Sequence, residues 1–529
     1  MIRAVLVLLA LDFALSAPMA AAEGGWTALT LVGDLALIAS VTLLHERWGP
    51  RLATGAWSLL WVYQCIRLAS TLAMGEEGLV YDLWQLSFHT WVLVRDLVGG
   101  WVWGIAAAIV LLVVGVTALV GLVMPWVREA LADRRLLAGV WVVALLGVLP
   151  HAPVSYVAPA LVANLEASVD AWSETQSILE RARAADPGPA TGEHPDLHVY
   201  IIESYGAVLL RDPLHAKEMR PALREVRDAV VPAGWSMASG FSRAPVSGGR
   251  SWIADGAVLM GTPVAHESTF QQVSGHADEL VTLPAWAKRE GWHTIVCRPK
   301  DRERPGVPHD NRFGFDRTVF YEDLDYHGLA YGWGWVPDQY TLGHLREHAL
   351  ADAPGPVVLF AHLASSHVPW WDPPPIYSDW HRLGVGGEDE ELPDDRDLTE
   401  ELGFDTHRFR RGERGVGPDL RQHLQTGDSR ARYRGMVLYD VEVLTDHLLK
   451  LGTDRPALVL WMGDHQPPGI APRKDFDVPV HLFANDPALL RPFLEQGFVR
   501  GPWPVGRAVV GHEDLYGLLA ASLGAVPSP

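Results

Sequence analysis

Five long apolar stretches in the first 160 residues constrain this chain more than any other feature. They lie at roughly 4–22, 26–45, 53–74, 98–124 and 136–160, each near the ~20 apolar residues that a membrane helix needs. The run from Val98 to Met124 contains no charge. Pro150 and Pro153 interrupt the fifth stretch, which predicts a kink or an early end. The first stretch also has the layout of a secretory signal, with Arg3, an apolar run and the Ala-rich segment Ala17–Ala22; the length of the apolar run favours a retained helix. Arg47 and Arg51 follow the second stretch, and Arg128, Arg134 and Arg135 follow the fourth. The loop between the third and fourth carries Glu76, Glu77, Asp82 and Asp96 against Arg95 alone. The positive-inside rule then puts the Arg-rich loops in the cytoplasm and everything after the fifth stretch outside. Within these stretches, Asp12 reads as a helix–helix hydrogen-bond partner and Arg67 as a side chain snorkelling to the interface.

The pattern changes after residue 161. Over residues 162–183, Leu165, Val169, Trp172 and Ile178 are spaced for one helical face. Ala184–Pro195 is a linker by its Pro and Gly content. Beyond it, short β-rich runs alternate with helical stretches: Leu197–Ile202, Thr294–Cys297, Val357–Leu363, Ala457–Met462 and Val478–Ala484. This alternation predicts a largely parallel sheet with helices on both faces. Three segments result: a transmembrane region of about five helices (1–161), a juxtamembrane helix and linker (162–195), and an outside α/β domain (196–529). Residues 382–428, first acidic and then basic, read as a surface insertion or lid.

Composition narrows the chemistry. The 43 Lys and Arg against 63 Asp and Glu leave a net charge of −20, a poor match for nucleic acid. The two cysteines, Cys65 and Cys297, fall in different segments, which excludes a disulfide scaffold and a cysteine-rich metal site. Any metal must be held by carboxylates, imidazoles or hydroxyls.

In open α/β sheets, functional groups gather at the carboxyl ends of strands. Glu203 follows the run HVYII, a position that also suits a first-turn acid facing a helix dipole. Asp464 and His465 follow ALVLWMG and offer a carboxylate and an imidazole, the mix that zinc and manganese accept; an Asx-turn beside an exposed histidine is the plain alternative. His367 lies beyond VVLFAHLASS on what reads as a loop wall, and His362 reads as a core histidine. In APVSGGRSW, Gly248 and Gly249 permit a tight turn before Arg250 and Ser251. A hydroxyl at a helix start meets free N–H groups and the positive dipole end; this suits a nucleophile and equally a plain N-cap serine.

In combination these pieces resemble the lipoteichoic acid synthase type of membrane enzyme and the related phosphoethanolamine transferases, within the alkaline phosphatase/sulfatase superfamily. The resemblance covers the whole layout and rests on the order Glu203, Ser251, His367, Asp464–His465. It implies an α/β sulfatase-like domain behind a membrane anchor. Glu203, Ser251, Asp464 and His465 would hold one divalent metal, zinc or manganese, with magnesium or calcium as alternatives. Ser251 would be the nucleophile, with Ser247 as its competitor, and Arg250 and His367 would contact the transferred group. His481 and His512 fall where relatives place active-site or second-metal groups; His481 is expected to bind substrate. Asp316 and Asp338 read as turn formers or substrate contacts. The expected activity moves a phospho-head group from a membrane lipid donor to an envelope glycan or lipid acceptor, outside the cytoplasmic membrane.

The chain departs from the family in four ways. The nucleophile is Ser rather than the usual Thr. The sulfatase signature of Cys or Ser, any residue, Pro, any residue, Arg is absent. The cysteine-rich soluble domain common in phosphoethanolamine transferases is missing, and so is the doubly carboxylated start of calcium sulfatases. A sulfatase-like hydrolase with an unmodified Ser is the second reading, and a catalytically inactive envelope-polymer sensor the third. Few polar residues in the apolar region and no inverted repeat argue against a transporter.

Overall fold

The structure, a computed structural model, describes residues 2–23, 31–74, 78–82, 91, 99–146, 154–301, 313–329, 331, 336–370, 372–384, 429–451, 455–472 and 474–526. It divides into two compact units, Met1–Trp172 and Ser173–Pro529. Glu76, Glu77, Arg95, Asp96, Pro150, Pro153 and residues 385–428 of the expected insertion lie outside the described residues.

The first unit is helical. It contains α1 (Ile2–Glu23), α2 (Asp34–Leu43), α3 (Gly49–Met74), α4 (Val102–Leu131), α5 (Arg134–Leu146) and the start of α6 (Val157–Ala184). Each apolar stretch holds one of the first five helices. Among the described residues, only α4, with 30 residues, is long and apolar enough to cross a bilayer. α2 has just 10 residues because it starts at Asp34, whose buried carboxylate accepts the N–H groups of Val157 and Ala158. Asp12 binds backbone rather than a neighbouring helix side chain: its Oδ1 accepts the N–H of Val32 at 2.7 Å. Arg67 turns back onto its own helix, donating to Gln64 Oε1 at 2.8 Å and lying over the Tyr63 ring. On the face expected for residues 162–183, Leu165, Val169 and Trp172 are exposed and only Ile178 is buried.

Among the described residues, the second unit is a nine-stranded sheet between two helical layers. Its strands are β1 (Asp196–Ile202), β2 (Ser236–Arg243), β3 (His293–Cys297), β4 (Arg317–Val319), β5 (Val357–His362), β6 (Ala457–Gly463), β7 (Asp477–Ala484), β8 (Val499–Arg500) and β9 (Val510–Gly511). The spatial order is β8-β2-β7-β6-β1-β5-β3-β4, with β9 beside β2. From β6 to β4 every pairing is parallel, but β7 is antiparallel to both β6 and β2. The sheet is therefore mixed, not simply parallel.

Strand alternation builds two cores. On β6, Leu458, Leu460 and Met462 join one core with α8 (Ser251–Met260) and α10 (His512–Ser522). Val459 and Trp461 point into the other, with α7 (Pro213–Val230) and α9 (Ser429–Leu451). Local signals set the helix starts: Asp212 caps α7 by accepting the N–H of Leu214 at 2.8 Å, and Pro213 opens the first turn. β2 has the sequence SMASGFSR and no apolar alternation. Its buried hydroxyls are matched instead: Ser239 to His481 and Ser242 to His512, each at 2.9 Å.

The central strands β1 and β6 end side by side, where the backbones approach closely. A Cβ on Gly463 would lie 2.1 Å from the carbonyl oxygen of Tyr205, a backbone atom that cannot swing aside. Gly463→Ala is expected to cost about 1–3 kcal/mol, as overpacking does. The check is thermal unfolding of the detergent-solubilised protein, where the midpoint should fall; an unchanged midpoint would mean that the two strand ends are not locked together.

Candidate active site

Five segments meet at the carboxyl ends of the central strands. Glu203 leaves β1, Lys300 follows β3, His362 ends β5, Asp464 and His465 follow β6, and Ser251 opens α8. The backbone around them is pinned. Ser204, directly after Glu203, has φ +58°, a costly conformation for a residue with a side chain. Its N–H donates to Asp464 Oδ1 at 2.7 Å, and its carbonyl accepts the Tyr433 hydroxyl at 2.7 Å. The Ser366 hydroxyl holds the Glu203 carbonyl, also at 2.7 Å.

The loop before Ser251 is equally strained. Gly248, Gly249 and Arg250 have φ of +74°, +147° and +64° in succession. The two glycines take these angles without a Cβ clash; Arg250 does not. Arg250 is the residue that caps α8, so Ser251 is the first helical residue, not an N-cap serine. The N–H of Gly248 donates to the carbonyl of Gln466 at 3.0 Å, which ties this loop to the Asp464–His465 turn.

The side chains converge on one point. Ser251 Oγ lies 3.3 Å from Glu203 Oε2 and 3.3 Å from His465 Nε2. Ligand atoms of Glu203, Asp464 and His465 all lie within 4.8 Å of one another. These three are buried, whereas Ser251 is only half-buried. The Asx-turn reading of Asp464 holds for one oxygen: Oδ1 accepts the N–H of His465 at 2.8 Å besides that of Ser204. Its other oxygen, Oδ2, is buried without a hydrogen-bond partner among the described residues. His465 Nδ1 faces the Gln466 carbonyl at 2.9 Å; donating there leaves Nε2 with its lone pair toward the cluster.

Charge explains the rest of the cluster. Burial would raise the Glu203 pKa, but Lys300, His367, His362 and His465 hold it well below the usual carboxylate range. Lys300 Nζ donates to Glu203 Oε2 at 2.6 Å. Burial and the nearby Glu203 charge push Asp464 up. His362 stands 3.1 Å from Glu203 through Nε2 and 3.0 Å from Asp255 through Nδ1. Burial opposes its charge, but Asp255 and Glu203 raise its pKa to about 9. Arg298 closes the series, 3.1 Å from Asp255.

A divalent cation fits these donors. Two carboxylates, one carrying an orphaned oxygen and a raised proton affinity, an imidazole with its tautomer set and a hydroxyl match the hard-to-borderline preference of zinc or manganese. Glu203, Asp464 and His465 supply the acids and imidazole; Ser251 supplies the hydroxyl.

The other expected site residues divide. His367 is half-buried and electrostatically coupled to Glu203, Lys300 and His465; burial lowers its pKa to about 4, so it is neutral. Arg250 is buried directly before Ser251. His481 is not gathered into the cluster: within the sheet its Nδ1 meets Ser239 Oγ and its Nε2 meets Tyr205 Oη, each at 2.9 Å. His512 meets Ser242 Oγ through Nδ1 at 2.9 Å and lies behind the Gly463–Asp464 turn that carries the cluster. Asp338 holds the loop before His367, accepting the N–H groups of Ala364 and Ser365 at 2.9 Å each. Asp316 binds Thr294 at 3.0 Å, a structural contact. Sequence reasoning misses Lys300 and takes His362 for plain core. A signal for Lys300 exists, because it too follows a strand's carboxyl end.

Residues 255–485 match the Sulfatase family model. That span contains Asp255, Lys300, His362, His367, Asp464 and His465, while Glu203 and Ser251 precede it. No curated protein matches the chain. Solved structures similar to it include an alkaline phosphatase superfamily protein from Vibrio parahaemolyticus, with 17% identity over 66% of this chain and 75% of that one, at a TM-score of 0.41. The lipoteichoic acid synthase LtaP of Listeria monocytogenes matches with 14% identity over 66% and 78%, at 0.40. The lipooligosaccharide phosphoethanolamine transferase EptA of Neisseria meningitidis matches with 13% identity over 92% and 96%, at 0.43.

Elemental analysis of the purified full-length protein should find about one divalent ion per chain. Asp464→Asn and Glu203→Gln should each lower retained metal at least about tenfold after dialysis. Equal retention in both variants would show that the ion, if bound, sits elsewhere.

Proposed function

We propose that this chain, which carries a sulfatase-like domain of the alkaline phosphatase superfamily, is a membrane-anchored phosphotransferase or phosphodiesterase with Ser251 as nucleophile. It moves a phospho-head group from a membrane lipid donor to an envelope glycan or lipid acceptor. The observation that carries this reading is the meeting of Glu203, Ser251, Asp464 and His465, from three separate chain segments, with the hydroxyl as the accessible member. The metal is zinc or manganese. The anchor has about five helices in residues 1–161, followed by the linker 162–195, and the catalytic domain 196–529 faces outward. The Arg-rich loops around Arg47 and Arg134 support this orientation.

The chemistry is a double displacement at phosphorus. Ser251 Oγ forms a bond to phosphorus as the bond to the lipid alcohol breaks, and the alcohol leaves with the proton that serine gives up. A hydroxyl of the acceptor, or of water, then attacks the phosphoserine and restores Ser251. A bound divalent cation would lower the pKa of the Ser251 hydroxyl and offset phosphoryl charge. Lys300 and Arg250 donate to the non-bridging oxygens, and His367, whose Nδ1 donates to the Val368 carbonyl, adds a donor through Nε2 once the anionic group brings its proton. The His362–Asp255–Arg298 series keeps Glu203 ionised and fixed. Missing the Pro-containing sulfatase signature, the nucleophile loop supports phosphate over sulfate esters.

Ser251→Ala should lower turnover of a phosphodiester substrate by at least about 10³-fold while leaving the unfolding midpoint unchanged. Lys300→Ala should lower kcat about 10²-fold. Paired assays on phosphate and sulfate esters check the substrate class. Faster turnover of the sulfate ester would overturn the phosphate assignment, and full activity in Ser251→Ala would overturn the nucleophile.

A further inference from the structure

The helical unit holds a second candidate site, unrelated to the cluster above. A cavity of about 370 Å³ opens between the start of α3 and the last turns of α4. Arg47, Arg51 and Arg128 line it, opposed by Glu46 and Glu129, so the lining is net positive. Arg128 is the first charge after the uncharged run of α4, and its Nε is shielded from solvent with no hydrogen-bond partner among the described residues. Gly121 and Pro125 also line the cavity. Pro125 has no N–H for the carbonyl of Gly121 four residues back, which leaves an acceptor there as well. The surroundings are those of a membrane interface. Trp48 and Trp126 are 54% and 67% exposed, and the guanidiniums of Arg47 and Arg51 lie 5.9 and 5.3 Å from the Trp48 ring. Leu52 and Leu122 offer exposed apolar surface on the two helices that flank the opening.

We infer that this cavity binds the phosphodiester head group of an anionic phospholipid. The guanidiniums receive the phosphate, the bare carbonyl receives a head-group hydroxyl, and the acyl chains lie along Leu52 and Leu122. Basic pockets between membrane helices recognise anionic lipids in this way. A free phosphate ester shares the charge but gains nothing from the apolar flanks. That this lipid is a structural ligand, separate from the donor, rests on the orientation proposed above; the binding itself does not.

The test uses full-length protein in a nonionic detergent, with native mass spectrometry and thermal unfolding in dioleoylphosphatidylglycerol or dioleoylphosphatidylcholine. Phosphatidylglycerol should be retained about tenfold over phosphatidylcholine and should raise the unfolding midpoint. Arg51→Gln with Arg128→Gln should abolish the preference. So should Gly121→Leu, which fills the cavity without changing charge; among the described residues, the atoms within 4 Å of a Cβ there belong to Thr54, at 3.7 and 4.0 Å. Ser251→Ala should keep it. Equal retention of both lipids by the wild type, or an unchanged preference in the cavity variants, would overturn the inference. Loss of the preference in Ser251→Ala would assign the lipid to the catalytic domain instead. Equal protection by sn-glycerol 3-phosphate would overturn the lipid in favour of a free phosphate ester.

Discussion

A carboxylate that is 2% exposed must be matched by positive charge, and Glu203 sets that requirement for the whole catalytic domain. Five side chains meet its terms. Lys300 arrives from β3, His362 from β5, His465 from β6 and Ser251 from α8, while the Ser366 hydroxyl secures its carbonyl. Asp255 then has to neutralise His362, and Arg298 has to answer Asp255. The sheet order follows the same logic: β1 is central because its end must be reached from β5 on one side and β6 on the other. Strain at Ser204 and Arg250 is tolerated because hydrogen bonds and packing on both sides determine those turns.

The same arrangement separates what holds the site from what can react. Asp464 Oδ2 and His465 Nε2 face inward with lone pairs to offer, and the Ser251 hydroxyl stands at the more open edge. On the proposed mechanism substrate meets the hydroxyl, while the deeper groups stay fixed by backbone contacts. On the same proposal this preorganisation would let a protein of net charge −20 handle an anionic ester, with the local cations rather than the global field deciding what approaches.

Much of this is legible in the amino-acid sequence alone. Apolar runs locate five strands to within one residue at either end, because buried central strands need such runs. Glu203, Asp464 and His465 stand out as polar residues at strand ends where packing gives no reason for them. β2 is invisible, since its buried positions are serines whose partners, His481 and His512, come from far along the chain. That same pairing is why His481 looks like a ligand in sequence and sits as core in the fold. His362 reads as core packing; it is buried, but its two ring nitrogens face carboxylates that only tertiary folding brings near. In the helical unit, apolar length locates the helices but not their ends, which Asp34 and other local hydrogen bonds decide.

The central claim is that Ser251 takes up the transferred group. Peptide mass spectrometry of the protein after incubation with membrane lipids tests it most directly, since the added mass names the group and the fragment names the residue. The account predicts a phospho-head-group adduct on Ser251 that disappears when acceptor is added. An adduct on Ser247, or turnover of lipid donor with no serine adduct under rapid quench, would contradict it.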